Sequence, residues 1–218
     1  MMVFASREDA GLKLGRCLHE QGVRADLVLG LPRGGVVVAA GVARVLHLPL
    51  DVLLVRKIGH PQHREFAVGA LAENGVTVLD EDAIGASAVI RAELETVIDE
   101  EKERLRGYHA RFHSKGAPAL AGKTVLLVDD GLATGATMEA AVLSVRKQNA
   151  LRVVVAAPVA SAHAVERLAR VADEVRVLTV DPEFEAVGRY YQTFTQTTDE
   201  EVLELLRTGA GGSVKRET

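Results

Sequence analysis

Short continuous apolar runs alternate along this chain with segments patterned for amphipathic helices, and that alternation constrains the fold more than any other feature. "ADLVLGL" (25–31), "LDVLLV" (50–55), "KTVLLVDD" (123–130), "RVVVAAPVA" (152–160) and "EVRVLTV" (174–180) read as buried strands. Between them, "GVVVAAGVARVLHL" places Val38, Val42, Val45 and Leu46 on one helical face. Met138, Ala141, Val142 and Val145 mark a second helix, and a third is expected from about Ala162 to Val171. From about Ser87 to His113, Ile90, Leu94, Val97, Leu105, Tyr108 and Phe112 fall near one stripe while "DEEKER" fills the solvent side, so a long helix is expected there. "RKIGHPQHREF" mixes glycine, proline and charge and reads as an exposed loop. "FAVGALAENGVTVLD" holds two short runs around Asn74-Gly75, a hairpin signal. The fold class is α/β: a doubly wound, mostly parallel sheet with helices on both faces.

A chain of 218 residues, 48% hydrophobic and 26% charged, suits one domain with a real core. We assign residues 1–207 to that domain and expect 208–218, ending "GAGGSVKRET", to be a flexible tail. A net charge of −4 without a basic tract argues against nucleic acid or an acidic membrane as partner. The single cysteine, Cys17, allows no internal disulfide, "MMVFASREDAG" lacks a signal-peptide core, and no apolar run approaches a membrane span, so a cytoplasmic protein is expected.

"VLLVDDGLATGAT" (125–137) sets two acids at the end of a greasy strand, then a loop almost without side chains. In open α/β sheets ligands bind at the carboxyl ends of the strands. Backbone amides of such a loop and the following helix N-terminus form an anion site, to which Thr134 and Thr137 add hydroxyls. Ala133, Gly135 and Ala136 let a phosphate approach closely. Asp129 and Asp130 would repel the phosphate itself, so they suit sugar hydroxyls beside it. The stretch therefore reads as a ribose-5-phosphate cradle. "GAPALAGKT" (116–124) is no Walker A motif: five residues separate its glycines, and it precedes a strand.

The same stretch resembles the 5-phosphoribosyl-1-diphosphate (PRPP) signature of the type I phosphoribosyltransferases, and "GLPRGGVVVAAGVA" (30–43) is similar to that family's pyrophosphate loop. "VRKIGHPQHREFAVGA" (55–70) looks like its mobile catalytic loop, and with "FEAVGRYYQTFTQTTDEEV" (184–202) it is closest to a poorly characterised phosphoribosyltransferase-like group. The resemblance implies the type I fold with a mobile loop and a small hood, here over 181–195. It also implies transfer of ribose 5-phosphate from PRPP to a nitrogenous acceptor, in the first instance a nucleobase, with release of pyrophosphate and Mg²⁺ as cofactor. On that pattern Asp129 and Asp130 hold the ribose hydroxyls and, through water, the metal. Ala133, Thr134, Gly135, Ala136 and Thr137 hold the phosphate. Arg33, Gly34 and Gly35 meet the pyrophosphate across a cis Pro32-Arg33 peptide, and Lys57 and Arg56 are catalytic. His60, His63 and Arg64 ride on the mobile loop, and Phe184, Tyr190 and Tyr191 are candidates to stack on the base. The family is often dimeric, so a homodimer is expected.

Two departures bear on this pattern. Ala133 stands where enzymes for 6-oxopurines carry an Asp, which argues against hypoxanthine and guanine as acceptors. Gly131 stands where an aliphatic residue is usual. His109 and His113, four apart on a helix, have ligand-like spacing, but no Cys, Asp or Glu triad completes a zinc site in the sequence. Two alternatives to the transferase stay open: a non-catalytic PRPP sensor, and a protein that handles another phosphosugar with the same cradle. The absence of a basic stripe and the presence of Arg56 and Lys57 favour the enzyme.

Overall fold

In the computed structural model, residues 3–85, 88–113 and 116–209 are described. The chain begins with helix α1 (Arg7–Glu20), strand β1 (Leu27–Gly30), helix α2 (Gly34–Leu46) and strand β2 (Leu50–Val52). An antiparallel unit of β3 (Val55–His60), β4 (His63–Ala72) and β5 (Thr77–Leu79) follows, then a short α3 (Glu81–Ile84) and the long α4 (Ala88–Phe112). The remainder is β6 (Thr124–Val128), α5 (Ala136–Lys147), β7 (Arg152–Ser161), α6 (Ala162–Leu168), β8 (Glu174–Asp181), a 3-10 turn (Val187–Tyr190) and α7 (Asp199–Gly209).

The central sheet is parallel throughout, in the order β2-β1-β6-β7-β8. Its strands are apolar on both sides because each side is covered. Val28, Leu126, Val128, Val154 and Ala156 pack under α1 and α2. Leu27, Leu29, Val125, Leu127, Val153 and Val155 pack under α5 and α6. Each fully buried Val or Leu is worth about 1.5–3 kcal/mol relative to exposure, so these alternating rows hold the layers together. A third core, with Ile58, Val68, Leu71, Leu94, Val97 and Val202, joins the antiparallel unit to α4 and α7.

The doubly wound sheet, the Asn74-Gly75 turn and the long helix all stand as expected; Ser87 itself lies outside the described residues. Three expectations change. "LDVLLV" is not one strand: β2 stops at Val52, and Leu53 and Leu54 carry the chain into the other sheet, where β3 begins at Val55. There the Leu53 N–H donates to Gly30 O and the Leu54 carbonyl accepts from the Glu73 N–H, so the two leucines serve different neighbours. "RKIGHPQHREF" is not a loop but most of a β-hairpin, paired from Val55↔Ala72 to His60↔His63 and irregular near Gly59. Finally, α7 was not anticipated. It closes on Thr208 and Gly209, which were assigned to the tail; residues 210–218 lie outside the described residues.

Candidate active site

The strand order reverses between β1 and β6, since β1 leads outward to β2 while β6 leads through β7 to β8 on the other side. A crevice opens at such a switch point, at the carboxyl ends of the two strands. Their pairing runs to Gly30↔Val128, so the loops that follow leave the sheet side by side. After β1 come Leu31, Pro32 and Arg33, with a cis Pro32–Arg33 peptide, and then the N-terminus of α2. After β6 come Asp129 to Gly135, with Gly135 in the left-handed region at φ 78°, and then the N-terminus of α5. Neither N-cap residue, Arg33 or Gly135, caps its helix with a side chain, although Thr134 Oγ1 accepts the Ala136 N–H at 3.4 Å, and both helices start beside one cleft of about 440 Å³.

Asp129 and Asp130 lie between these two loops. The Asp129 Oδ1 accepts the Asp130 N–H at 2.8 Å. Burial, and then the neighbouring Asp130 carboxylate, push the Asp129 carboxyl well above the usual carboxylate range; the Asp130 N–H, Lys57 and Arg7 pull it down by less. Asp130 is held differently, its Oδ2 accepting the Arg7 Nε–H at 2.7 Å. The glycine pair facing them is required by space. A Cβ on Gly34 would stand 2.2 Å from Asp130 Oδ2, and one on Gly35 2.5 Å from Asp129 Oδ1.

Ala133, Thr134, Gly135 and Thr137 border the same cleft, and Ala136 opens α5 behind them. Ser161 anchors this loop: its hydroxyl donates to Ala133 O at 2.6 Å and accepts from the Ala164 N–H at 2.9 Å, capping α6. Gly131 is explained by the 3-10 turn, because a Cβ there would come within 2.7 Å of Val187 Cγ1. Val187 occupies the place an aliphatic side chain at 131 would fill, and it borders the cleft.

On the facing hairpin and the loop beside it, Arg56, Lys57 and Arg33 all border the cleft. Their side chains are used differently. Arg33 lies 3.9 Å from Asp199 at the start of α7. Arg56 turns to α4, donating through Nε to the buried Glu101 at 2.8 Å with its guanidinium over the Tyr108 ring. Lys57 is exposed and has no ion-pair partner among the described residues. His60, His63 and Arg64 do not border the cleft. His60 is buried with its Nδ1 accepting the Gln62 N–H, His63 stacks on it, and Arg64 pairs with Glu100 on α4 at 2.9 Å.

The expected stacking residues need correction. Tyr190 and Tyr191 are 2% and 6% exposed, so neither ring offers a face to a base. The Tyr190 hydroxyl donates to Asp181 Oδ2 at 2.7 Å, and burial with that carboxylate pushes its ionisation up to about 12. The Tyr191 hydroxyl donates to Asp130 O at 2.6 Å, so this ring buttresses the acid pair from behind. Phe184 is half-buried and stacks on Tyr190, with centroids 5.3 Å apart. Arg7 was missed altogether. Besides Asp130 it binds Thr195 O at 2.7 Å, and its guanidinium stacks 3.8 Å above the Phe194 ring. No local motif marks an arginine in the first turn of the first helix as a partner of Asp130.

Comparison with known proteins agrees with this geometry. A Mycobacterium tuberculosis relative, provisionally named a phosphoribosyl transferase, is 42% identical over 207 residues, which is 94% of this chain and 47% of that protein. The chain thus spans about half the length of the curated relatives it matches. A Thermus thermophilus protein of known crystal structure is 46% identical with a TM-score of 0.78, covering 96% of this chain and 100% of that one. An Aquifex aeolicus protein shares the fold alone, at 14% identity and a TM-score of 0.50 over 92% of this chain and 86% of that one. Residues 10–192 match the family described as the phosphoribosyl transferase domain, and it is to this family that the chain belongs.

Proposed function

We propose that the chain transfers the 5-phosphoribosyl group of PRPP to a nitrogenous acceptor and releases pyrophosphate. The observation that carries this reading is the pair of helix N-termini brought together at the switch point, with Asp129 and Asp130 held between them. The loop from Ala133 to Thr137 receives the 5-phosphate on its amides and hydroxyls. Asp129 and Asp130 accept from the ribose hydroxyls. Arg33 and the amides after the Gly34-Gly35 pair receive the pyrophosphate, and Lys57, free of any ion pair among the described residues, neutralises the charge that gathers on it as the glycosidic bond breaks.

The acid pair also fits Mg²⁺. It offers hard oxygen donors, and the half-buried, mutually repelling carboxylates would be relieved by a cation. When bound, the ion supplies charge neutralisation on diphosphate and ribose oxygens. Ala133, with no carboxylate to meet a 6-oxopurine ring, directs the search for an acceptor elsewhere, and a cytoplasmic homodimer is the expected form of the protein.

One observation favours the alternative, a PRPP sensor without catalysis: Arg56 is engaged by Glu101 instead of the cleft. The test is pyrophosphate release from Mg·PRPP against a panel of purines, pyrimidines and small amines. Release with one acceptor, abolished by Asp129→Asn with Asp130→Asn, establishes the transferase and its substrate. Tight PRPP binding with silence across the panel points instead to a sensor or to an acceptor outside ordinary base salvage.

A further inference from the structure

A second polar cluster lies away from the cleft just described. None of its residues borders that cleft. The geometry points to a binding site for one divalent transition-metal ion of the zinc type, with Glu73, His109 and His113 as ligands and Asp51 supporting His113. This inference is independent of the phosphoribosyl reading.

Two of the ligands come from one helix end. His109 and His113 stand one turn apart, where side chains at four-residue spacing share a face, and their ring centroids are 4.9 Å apart. The third, invisible in the sequence, is brought in by the turn between β4 and β5. Glu73 Oε2 lies 3.2 Å from His113 Nε2 and 3.9 Å from His109 Nε2. The three potential ligand atoms all fall within 4.8 Å of one another. A tetrahedral ion about 2.0–2.2 Å from each ligand sets them roughly 3.3–3.6 Å apart, so small side-chain rotations close the site.

The polar atoms are also unsatisfied as they stand. The His113 side chain is 1% exposed, yet among the described residues neither of its ring nitrogens has a hydrogen-bond partner, and Glu73 Oε2 has none either. At 3.2 Å the His113–Glu73 approach is a contact without hydrogen-bond alignment. Buried polar atoms left in this way are costly, and a shared cation would satisfy Nε2 and Oε2 together.

The surroundings match what such a site needs. Metal-bound histidines almost always hand their other ring N–H to a carboxylate or carbonyl. Here Asp51 Oδ1 lies 3.7 Å from His113 Nδ1 and is itself fixed by the Val52 N–H at 2.8 Å. Glu73 is oriented through Oε1, which accepts the Leu54 N–H at 3.4 Å. A cleft of about 410 Å³ is bordered by Glu73 and His109 and gives an ion a way in to those two ligands. Two imidazoles with one carboxylate select zinc, cobalt or nickel over magnesium or calcium, which prefer all-oxygen shells. The bound ion would clamp β2, the β4–β5 turn and the end of α4, the helix whose Glu101 holds Arg56.

The test uses the full chain, treated with a chelator and titrated with Co²⁺ and then Zn²⁺. One equivalent of Co²⁺ should bind with the intense visible absorption of a four-coordinate ion, be displaced by stoichiometric Zn²⁺ and be unaffected by excess Mg²⁺. His109 is half-exposed, so His109→Ala should fold normally, and Co²⁺ affinity should fall about 10–100-fold in it, as also in Glu73→Gln and Asp51→Asn. Zn²⁺ should raise the melting temperature of the wild type and not that of His109→Ala. Weak octahedral absorption, equal binding by wild type and His109→Ala, or equal thermal shifts in both would overturn the site. Such results would leave the cluster as a buried His113 set between the Glu73 and Asp51 carboxylates.

Discussion

Asp129 and Asp130 are neighbours in sequence but live in opposite electrostatic conditions. Asp130 has the Arg7 guanidinium in contact, whereas Asp129 carries burial and a like charge without a cation in contact. Asp129→Asn removes the repulsion while its amide oxygen still accepts the Asp130 N–H. We expect its melting temperature to stay level or rise and its PRPP affinity to fall at least about tenfold, the equivalent of roughly one charge-assisted hydrogen bond. A marked drop in melting temperature would make the residue structural instead. Arg7 acts one step back as a positioning residue, with an aromatic face and two acceptors in fixed directions. Lysine cannot reproduce that fork. Arg7→Lys should therefore raise the KM for PRPP by about tenfold, from the loss of roughly 1–2 kcal/mol of orientation, with kcat much less affected. A kcat loss equal to the KM rise would place Arg7 in the chemistry itself.

The hairpin of β3 and β4 shows how an element can hide in sequence. Its first strand and turn, "RKIGHPQHREF", offer only Ile58 to the hydrophobic core, Phe66 being exposed, and Gly59 and Pro61 read as loop residues. Yet Gly59 is there because a Cβ would strike Arg64 O at 2.3 Å, and α4 supplies the partners that fix the pair. Tertiary contact, not local pattern, makes these strands. The parallel strands were legible for the opposite reason, being apolar on both faces, and the two cleft loops because each strand gives way within a few residues to glycine, in LPRGG after β1 and in DDGLATGAT after β6. For α7 the signal existed. Thr198 Oγ1 accepts the Glu201 N–H at 3.1 Å and Glu201 accepts the Thr198 N–H at 2.7 Å, the reciprocal cap that T-x-x-E encodes. Arg7 and Glu73 could not be read, since each is defined only by partners distant in sequence. Because the hairpin hangs on α4, Glu101→Gln should accelerate amide hydrogen exchange in residues 55–72 while β6 and β7 keep their protection. Uniform acceleration would mean that Glu101 serves the whole fold. Lys57→Ala should lower turnover far more than PRPP affinity, and equal losses would assign Lys57 to ground-state binding.

At the scale of the molecule, several carboxylates that tie one element to another set the acid limit of stability. The Val153 N–H and then Arg146 hold the Asp173 carboxyl below its ordinary range, joining the turn before β8 to β7 and α5. The Tyr190 hydroxyl and the Glu183 N–H do the same for Asp181 at the end of β8. Each group is more acidic in the folded chain than in the unfolded one. Its contribution is therefore complete above the ordinary carboxylate pKa of about 4 and is lost as pH falls through the lower folded value. Asp129 has the opposite sign, costing stability as pH rises past that ordinary value toward its own raised one. The protein should accordingly begin to lose stability in acid only below about pH 4. Asp173→Asn isolates one contribution, because its amide oxygen can still accept from Val153 while the charge facing Arg146 is gone. We expect a loss near neutral pH below about 1 kcal/mol, the usual ceiling for an exposed pair. The melting curves of wild type and variant should converge as the solution is acidified, because protonation then removes from the wild type the charge that the variant already lacks. A gap that persists unchanged into acid would locate the effect in hydrogen-bond geometry and remove Asp173 from the account of acid unfolding.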